Sequence, residues 1–498
     1  MKKRVLVALL CLTLVSCFVA CDMEFGGLVG ELFSQGVGDY VPSDDFILGP
    51  SIEETWIETD VLIGEQPTIE PPANVYPGET VTILGSSYSD IGLRNDSSEL
   101  VNELSYMRNE TVEETLNVSI NTLYCSWMEF ASVVGATVQA GNHDYDILMA
   151  NIANVGAVLT FDGYLVNLNT LAYVDMSSAA WDEGVNEGFA IGSYLPMATG
   201  ALVPTSDMNT AMLAFNTQMA DEMGVNLYDY VTCGGWTLAK MYSFVNESYA
   251  DLNGNGMADN GDSFGLTLEG DRAYAFACGA DAMLIGKDAQ NLPVINDNAV
   301  NRMIEAYEGL VAVSENRGCL YLPTHSFTNT VKQQPQLVFE EGNALLYGTT
   351  VNNAQYMHGE GVEFGVLPYP KLNEEQTNYQ SFMNTGASAV MVPACARDYD
   401  LSGYVIQGLA QTSNGLYKDR LSDKICRCAQ DAEMMKLIWE TKTLDFGSNY
   451  LIGEINFKVQ YLPHLLDQSG TVVSWFAQNQ KLIEQALAKL SAIGENLG

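Results

Sequence analysis

The chain has 498 residues, 47% of them hydrophobic, and a formal net charge of −40 from 62 Asp and Glu against 22 Lys and Arg. That length can bury two or three domain cores. The negative field excludes nucleic acid, anionic membrane and polyanions as electrostatic partners.

The first 21 residues read MKKRVLVALLCLTLVSCFVAC. Lys2, Lys3 and Arg4 precede an apolar stretch, Val5 to Ala20, that is shorter than the roughly 20 residues a membrane-spanning helix needs. Residues 1–20 therefore read as a cleaved export signal. It ends in cysteine, which predicts lipidation at Cys21, where the apolar run stops and Asp22 begins; Cys17 in Leu14-Val15-Ser16-Cys17 is the alternative. Two or three acyl chains on one cysteine suffice for a stable anchor. The expected location is extracytoplasmic, tethered to the outer face of the cytoplasmic membrane.

Residues 21–78 form an acidic tether or arm. From 22 to 78 there are 12 acidic residues and no Lys or Arg, with Pro67, Pro71, Pro72 and Pro77 near the end. Like charges and turn formers oppose compact packing. The apolar Trp56, Val61 and Ile63 lead us to expect its second half to lie against a domain. Order begins at Glu79–Gly85, an alternating strand-like run. Val118 to Leu123, Ile147 to Ile152 and Gly156 to Phe161 also read as strands. Val300, Met303, Ile304, Tyr307, Leu310 and Val311 recur at helical spacing, with Gly318 as a stop. Leu482, Ile483, Ala486, Leu487 and Leu490 make a second helical stripe ahead of Gly494. Mixed signals throughout mean an α/β chain. The seven cysteines beyond Cys21 are odd in number and scattered, so they read as mostly buried thiols rather than a disulfide framework.

The best local motif runs from Asp251 to Asp262. Calcium takes six to eight oxygen ligands, and an EF-hand-type loop supplies them from positions 1, 3, 5, 7, 9 and 12. Here those positions hold Asp251, Asn253, Asn255, Met257 (through its carbonyl), Asp259 and Asp262. Asp replaces the usual bidentate Glu at the last position, so a weak structural calcium loop is expected. Phe264-Gly265-Leu266 just after it reads as a strand start.

Enzyme signatures are missing: there is no HExxH, GxSxG or GxxxxGK[ST]. His143, His325, His358 and His464 share no metal-ligand spacing. Aromatic residues beside polar ones, by contrast, recur: Trp181-Asp182, Tyr228-Asp229-Tyr230, Trp236, Tyr347 and Tyr369. Aromatic faces stack on the C–H faces of sugars while carboxylates and amides take hydroxyl hydrogen bonds.

From about Thr80 onward the chain resembles the bacterial extracellular solute-binding proteins of family 1, clostridial type, which serve ABC importers. Tyr106 to Val118 looks like the segment joining the first helix to the second strand. Trp181-Asp182 resembles a "pWWd" element in which Ala180 replaces one Trp. Gly235-Trp236-Thr237-Leu238-Ala239-Lys240 is similar to a "G-x-W-T-W/L-d-k" helix start, and Phe339-Glu-Glu-Gly342-Asn-Ala344-Leu345 to an "F-x-x-G-k-A-l" element. Phe364 to Lys371 and Ser388 to Pro393 complete the series.

The resemblance implies a two-lobed periplasmic-binding-protein fold of type II, the Venus-flytrap form, with an interlobe cleft. The expected lobes are 79–175 plus 340–390, and 176–339 plus 391–498. It implies a monomeric, non-enzymatic binding protein delivering a carbohydrate to ABC permease subunits, with Trp181, Asp182, Asp207, Trp236 and Tyr347 as ligand-binding residues. A sensor for a membrane signalling partner and a surface polysaccharide hydrolase are the alternatives.

Overall fold

The computed structural model describes residues 72–93, 99–259, 261–322, 334–359, 361–452 and 472–498. The export signal, Cys17, Cys21 and the arm as far as residue 71 lie outside the described residues, as do Trp56, Val61, Ile63, His325 and His464. The described end of the arm is packed. Tyr404 donates its hydroxyl to the Pro72 carbonyl (2.9 Å), and Tyr76 meets Tyr173 and Tyr404 edge-on or tilted.

Two separate sheets organise the chain. In the first, β1 (Thr80–Gly85) lies between β2 (Ser119–Tyr124) and β3 (Ile147–Asn151), all parallel, and β12 (Ser388–Met391) adds antiparallel to β3. The sequence explains these places. Ile147, Leu148, Met149 and Ala150 form an unbroken buried run, as an interior parallel strand requires, whereas β2 alternates and sits at the edge. The helix Leu100–Leu116 connects β1 to β2. Glu99 caps it by accepting from the N–H groups of Val101 and Asn102, and Asn117 ends it in the left-handed conformation. Its buried Val112 and Leu116 meet the helix Tyr399–Ser413 at Gly408, where a Cβ would strike Leu116.

The second sheet has the order β10-β4-β9-β5-β8: β10 (Phe364–Leu367), β4 (Ala211–Asn216), β9 (Ala344–Thr350), β5 (Phe264–Glu269) and β8 (Cys319–Leu322). Only β4 runs against its neighbours. Two small pairs stand apart: the hairpin β6 (Ile285–Lys287) with β7 (Pro293–Ile295), and β11 (Ser381–Phe382) with β13 (Lys442–Thr443). The chain crosses between the main sheets near residues 198–210 and again near 383–390. The two crossings run side by side, bridged at Ala198–Val390 and Thr210–Met383.

Strand pairing divides the chain differently from the expected boundaries. The segment 340–390 is expected in the first lobe, yet β9 and β10 hydrogen-bond into the second sheet and only the stretch that opens β12 at Ser388 returns to the first. Likewise the helix Tyr399–Ser413, expected in the second lobe, packs on helix 100–116. One local reading is also corrected. Gly156–Phe161 is helical rather than a strand, because a short apolar run does not distinguish the two. The helix that carries the last apolar stripe runs Val472–Leu497, past Gly494; a Cβ there would strike the Ile191 carbonyl, so close packing explains the glycine.

Candidate functional site

In an open α/β sheet, ligands sit beyond the carboxyl ends of the strands at the point where strand order reverses. In the first sheet that point is the end of β1, because the chain places β2 on one side of it and β3 on the other. The residues there are aromatic and open to solvent. Tyr88 follows β1 and stacks on Tyr124, the last residue of β2, with centroids 4.5 Å apart and planes 23° from parallel. These rings are 39% and 45% exposed, and Trp127, three residues further on, is 36% exposed. A pair of tyrosines that stack yet stay half in water offers a flat apolar platform with hydroxyls at its rim. The sequence reading missed this surface. Its signal was present in the strand-like runs that end immediately before Tyr88 and Trp127. From the second sheet, Tyr356 lies just past β9, with the Lys424 ammonium 5.9 Å from its ring centre.

Three of the expected ligand residues come together elsewhere. Trp181 and Asp182 line a cavity of about 620 Å³ with Glu183, Lys418, Trp439 and Lys442. The strand-like turn at 180–182 is held against 199–201, where Gly200 has no Cβ to strike the Ala180 carbonyl or the Trp181 ring. Asp182 starts the helix Glu183–Phe189 but does not cap it. Its carboxylate turns to Lys442 instead, with Nζ 2.8 Å from Asp182 and 2.6 Å from Asp207. Lys442 is almost wholly enclosed, and Lys418 adds a second cation 3.7 Å from Asp207. Burial pushes the Asp182 carboxyl up, but Lys442 and then Lys418 outweigh it and hold it below the usual carboxylate range. Lys442 answers in kind: burial pulls its pKa down, and Asp182 and Asp207 raise it above that of an ordinary lysine. Asp207 and the inner face of Asp182 are thus engaged in a buried ion cluster. Sequence reasoning gave no sign of Lys442, Lys418 or Trp439, since their partners are more than two hundred residues away.

The other two expected ligand residues are core. Trp236 is fully enclosed and donates its indole N–H to the Pro368 carbonyl at 2.9 Å. Tyr347 is fully enclosed in the middle of β9, 5.5 Å from the Phe339 ring. Neither presents a face to solute: the Phe339 ring packs against Tyr347, and the chain at 368–371 covers Trp236. Of the thiols, Cys278, Cys319 and Cys395 are buried, whereas Cys233 and Cys428 are exposed and Cys125 and Cys426 are intermediate. The seven form no disulfide with one another, but they are not mostly buried.

The loop 251–262 closes on itself through its own oxygens. Asp251 accepts from the N–H groups of Gly254 and Gly256, Asn253 from Asn255, and Asn255 from Met257. Asp259 accepts from Gly261, Asn253 and Asn255, and the buried Asp262 accepts from Tyr249, Leu252 and Asp259. Among the described residues no three His, Cys, Asp or Glu side chains converge as a metal site. The donor set of carboxylate, amide and carbonyl oxygens is still of the type calcium takes.

No family model matches the sequence, and no curated protein matches it. Solved structures do. The chain is similar to a cyclo/maltodextrin-binding protein complexed with maltotetraose (TM-score 0.53, 12% identity, 84% of this chain and 97% of that one). It is similar to a sugar transporter from Rhizobium etli in an open conformation (TM-score 0.54, 13% identity, 84% and 100%). A cyclic alpha-maltosyl-1,6-maltose binding protein from Arthrobacter globiformis matches over 84% and 100% (TM-score 0.51, 13% identity). The fold is therefore the two-lobed periplasmic-binding-protein fold, built here from the two sheets and the paired crossings between them.

Proposed function

We propose that this protein is an extracytoplasmic solute-binding protein that takes a sugar or oligosaccharide and hands it to the permease subunits of an ABC importer. The single observation that carries the reading is the stacked, solvent-facing Tyr88–Tyr124 pair, with Trp127 beside it, at the switch point of the first sheet. Stacking suits the apolar faces of sugar rings, and the fold is shared with proteins described as binding cyclo/maltodextrin and cyclic alpha-maltosyl-1,6-maltose. The paired crossings at 198–210 and 383–390 are the natural hinge, and closure about them would present the loaded state to the permease. The protein performs no chemistry in this reading. Lipidation at Cys21 holds it to the membrane, and loop 251–262 binds calcium as a local brace; among the described residues no helix is long and apolar enough to cross a membrane.

Titration calorimetry with maltose, maltotetraose, free amino acids and short peptides tests this. A saccharide should bind stoichiometrically and be recovered unchanged, and Tyr124→Ala should weaken it about tenfold, the worth of one stacked ring. Binding of peptides alone, or release of shortened sugars, would overturn the reading.

A further inference from the structure

Two of the seven thiols stand in one turn, and solute binding uses neither. Cys426 closes the helix Leu416–Ile425 and Cys428 opens the helix Ala429–Glu440, with Arg427 alone between them. Cys428 is exposed and Cys426 half-buried, so they are not a pair of enclosed core thiols. Consecutive Cα atoms are about 3.8 Å apart, so those of residues 426 and 428 are separated by about 7.6 Å at most. The chain bends at Arg427 and Cys428, which shortens that distance. A disulfide spans about 4.4–6.8 Å between Cα atoms, so the turn is already close to the geometry of a bond.

The turn is held from three sides. Asp431 accepts from the Arg427 N–H (2.9 Å), the Val366 N–H of β10 (2.9 Å) and the Tyr228 hydroxyl (2.6 Å). Tyr228 has thereby given its only proton to Asp431. Its contact with the Cys428 sulfur, at 3.7 Å, therefore has the thiol as donor. Cys428 is fixed at the solvent boundary in this way, with Cys426 beside it.

We propose that Cys426 and Cys428 are a reversible dithiol–disulfide pair, oxidised by exchange with a low-molecular-weight disulfide. The Cys428 thiolate attacks one sulfur of the small disulfide and breaks its S–S bond. That leaves a mixed disulfide on Cys428 and releases one small thiolate. The Cys426 thiolate then attacks the Cys428 sulfur, forms the Cys426–Cys428 bond and expels the second small thiolate. Two protein thiols are oxidised, the small disulfide is reduced, and the two thiol protons pass through water to the two thiolates released. The order follows from exposure, since a solute reaches Cys428 first. Burial, then Asp431 and Cys428, push the Cys426 thiol up to about 12, against the Ser422 hydroxyl and the Arg427 charge. The other titratable groups at this turn are Tyr228 and His358, whose Nε2 is 2.7 Å from the Ile425 carbonyl. Ring closure at Cys426 is therefore the slower step. A ring closed through one intervening residue constrains the unfolded chain little, and this one is exposed, so the bond belongs with the labile disulfides rather than the structural ones.

The test incubates the intact, folded protein with oxidised glutathione, quenches with acid and alkylating agent, and follows the tryptic peptides by mass. Trypsin cuts after Lys424, Arg427 and Lys436, so a Cys426–Cys428 bond keeps the peptides 425–427 and 428–436 joined. The joined pair should accumulate with oxidised glutathione and disappear with dithiothreitol. Glutathione should appear on Cys428 first, and its conversion to the joined pair should speed about tenfold from pH 7 to pH 8 as the Cys426 thiolate fraction grows. Cys426→Ser should halt the reaction with glutathione still on Cys428. Should that variant fail to fold, the time course of the unaltered protein carries the same information. Cys428→Ser, which places a good capping residue at the helix start, should leave residue 426 reduced. Glutathione that stays on Cys428 of the unaltered protein at every pH overturns the proposal. So does a Cys428 that never reacts, or a bond from either thiol to Cys233.

Discussion

Two buried carboxylate centres sit two residues apart along the first crossing and behave in opposite ways. At Asp207 the partner is an ammonium: Lys442 bridges Asp207 and Asp182, and Asp182 is held below the usual range. At Thr205 the carboxylate comes from Asp90, which accepts from the Thr205 N–H at 3.1 Å and its hydroxyl at 2.8 Å. Arg108 lies close, but its guanidinium bonds the Asp90 backbone carbonyl rather than the carboxylate. Burial therefore wins, against the hydrogen bonds from Ser388 and Thr205 and the charge of Arg108, and pushes Asp90 up to about 6. At Asp182 the touching ammonium groups outweigh burial, whereas at Asp90 the hydroxyl and amide donors and the more distant Arg108 charge do not.

The largest effect should come from removing the cation. Lys442→Ala strands two enclosed carboxylates and should cost about 3–5 kcal/mol in chemical denaturation. Lys442→Met combined with Asp182→Asn and Asp207→Asn should recover most of that loss. Failure to recover would mean that packing, not charge, dominates there.

The pH dependence separates the two centres. Asp182 has a lowered folded pKa, so its contribution is present above about pH 4, the unfolded value, and is lost as pH falls through the lower folded one. Lys442 has a raised folded pKa, so its contribution is lost only in strong alkali, as pH rises through that value. Asp90 does the reverse of Asp182. Its folded state holds the proton more tightly, so stability is greatest in acid and falls as pH rises from about 4 to about 6, by on the order of 3 kcal/mol. Asp90→Asn should flatten that part of the curve. A slope unchanged in the variant would place the titration elsewhere.

The smallest effect belongs to the exposed carboxylates of loop 251–262. Backbone donation from Gly261, then the Asn255 side chain, keeps Asp259 below the usual range without any cation. Millimolar calcium should raise the melting temperature by a few degrees through binding to the folded state, and Asp251→Ala with Asp259→Ala should erase the rise. A melting temperature indifferent to both calcium and chelator would leave the loop as a turn.

The sequence determined those features that depend on neighbours along the chain. Apolar alternation marked β1, the unbroken run marked β3, and helical spacing at 300–311 and 482–490 marked parts of the helices Ala299–Glu315 and Val472–Leu497. The ordered motifs from Tyr106 to Pro393 were enough to name the fold. The family resemblance also placed Trp181, Asp182 and Asp207 in one set, together with Trp236 and Tyr347. The sequence did not decide what that set does, because the deciding group, Lys442, lies more than two hundred residues beyond Asp207 and arrives only through the pairing of β13 with β11. Nor did it divide the two sheets correctly, since β9 and β10 are apolar runs that would satisfy either one. Trp236 and Tyr347 show the same limit: an aromatic beside polar residues reads alike in a cleft and in a core. Only the strands and loops that close over it in three dimensions determine which face, if any, it leaves to water.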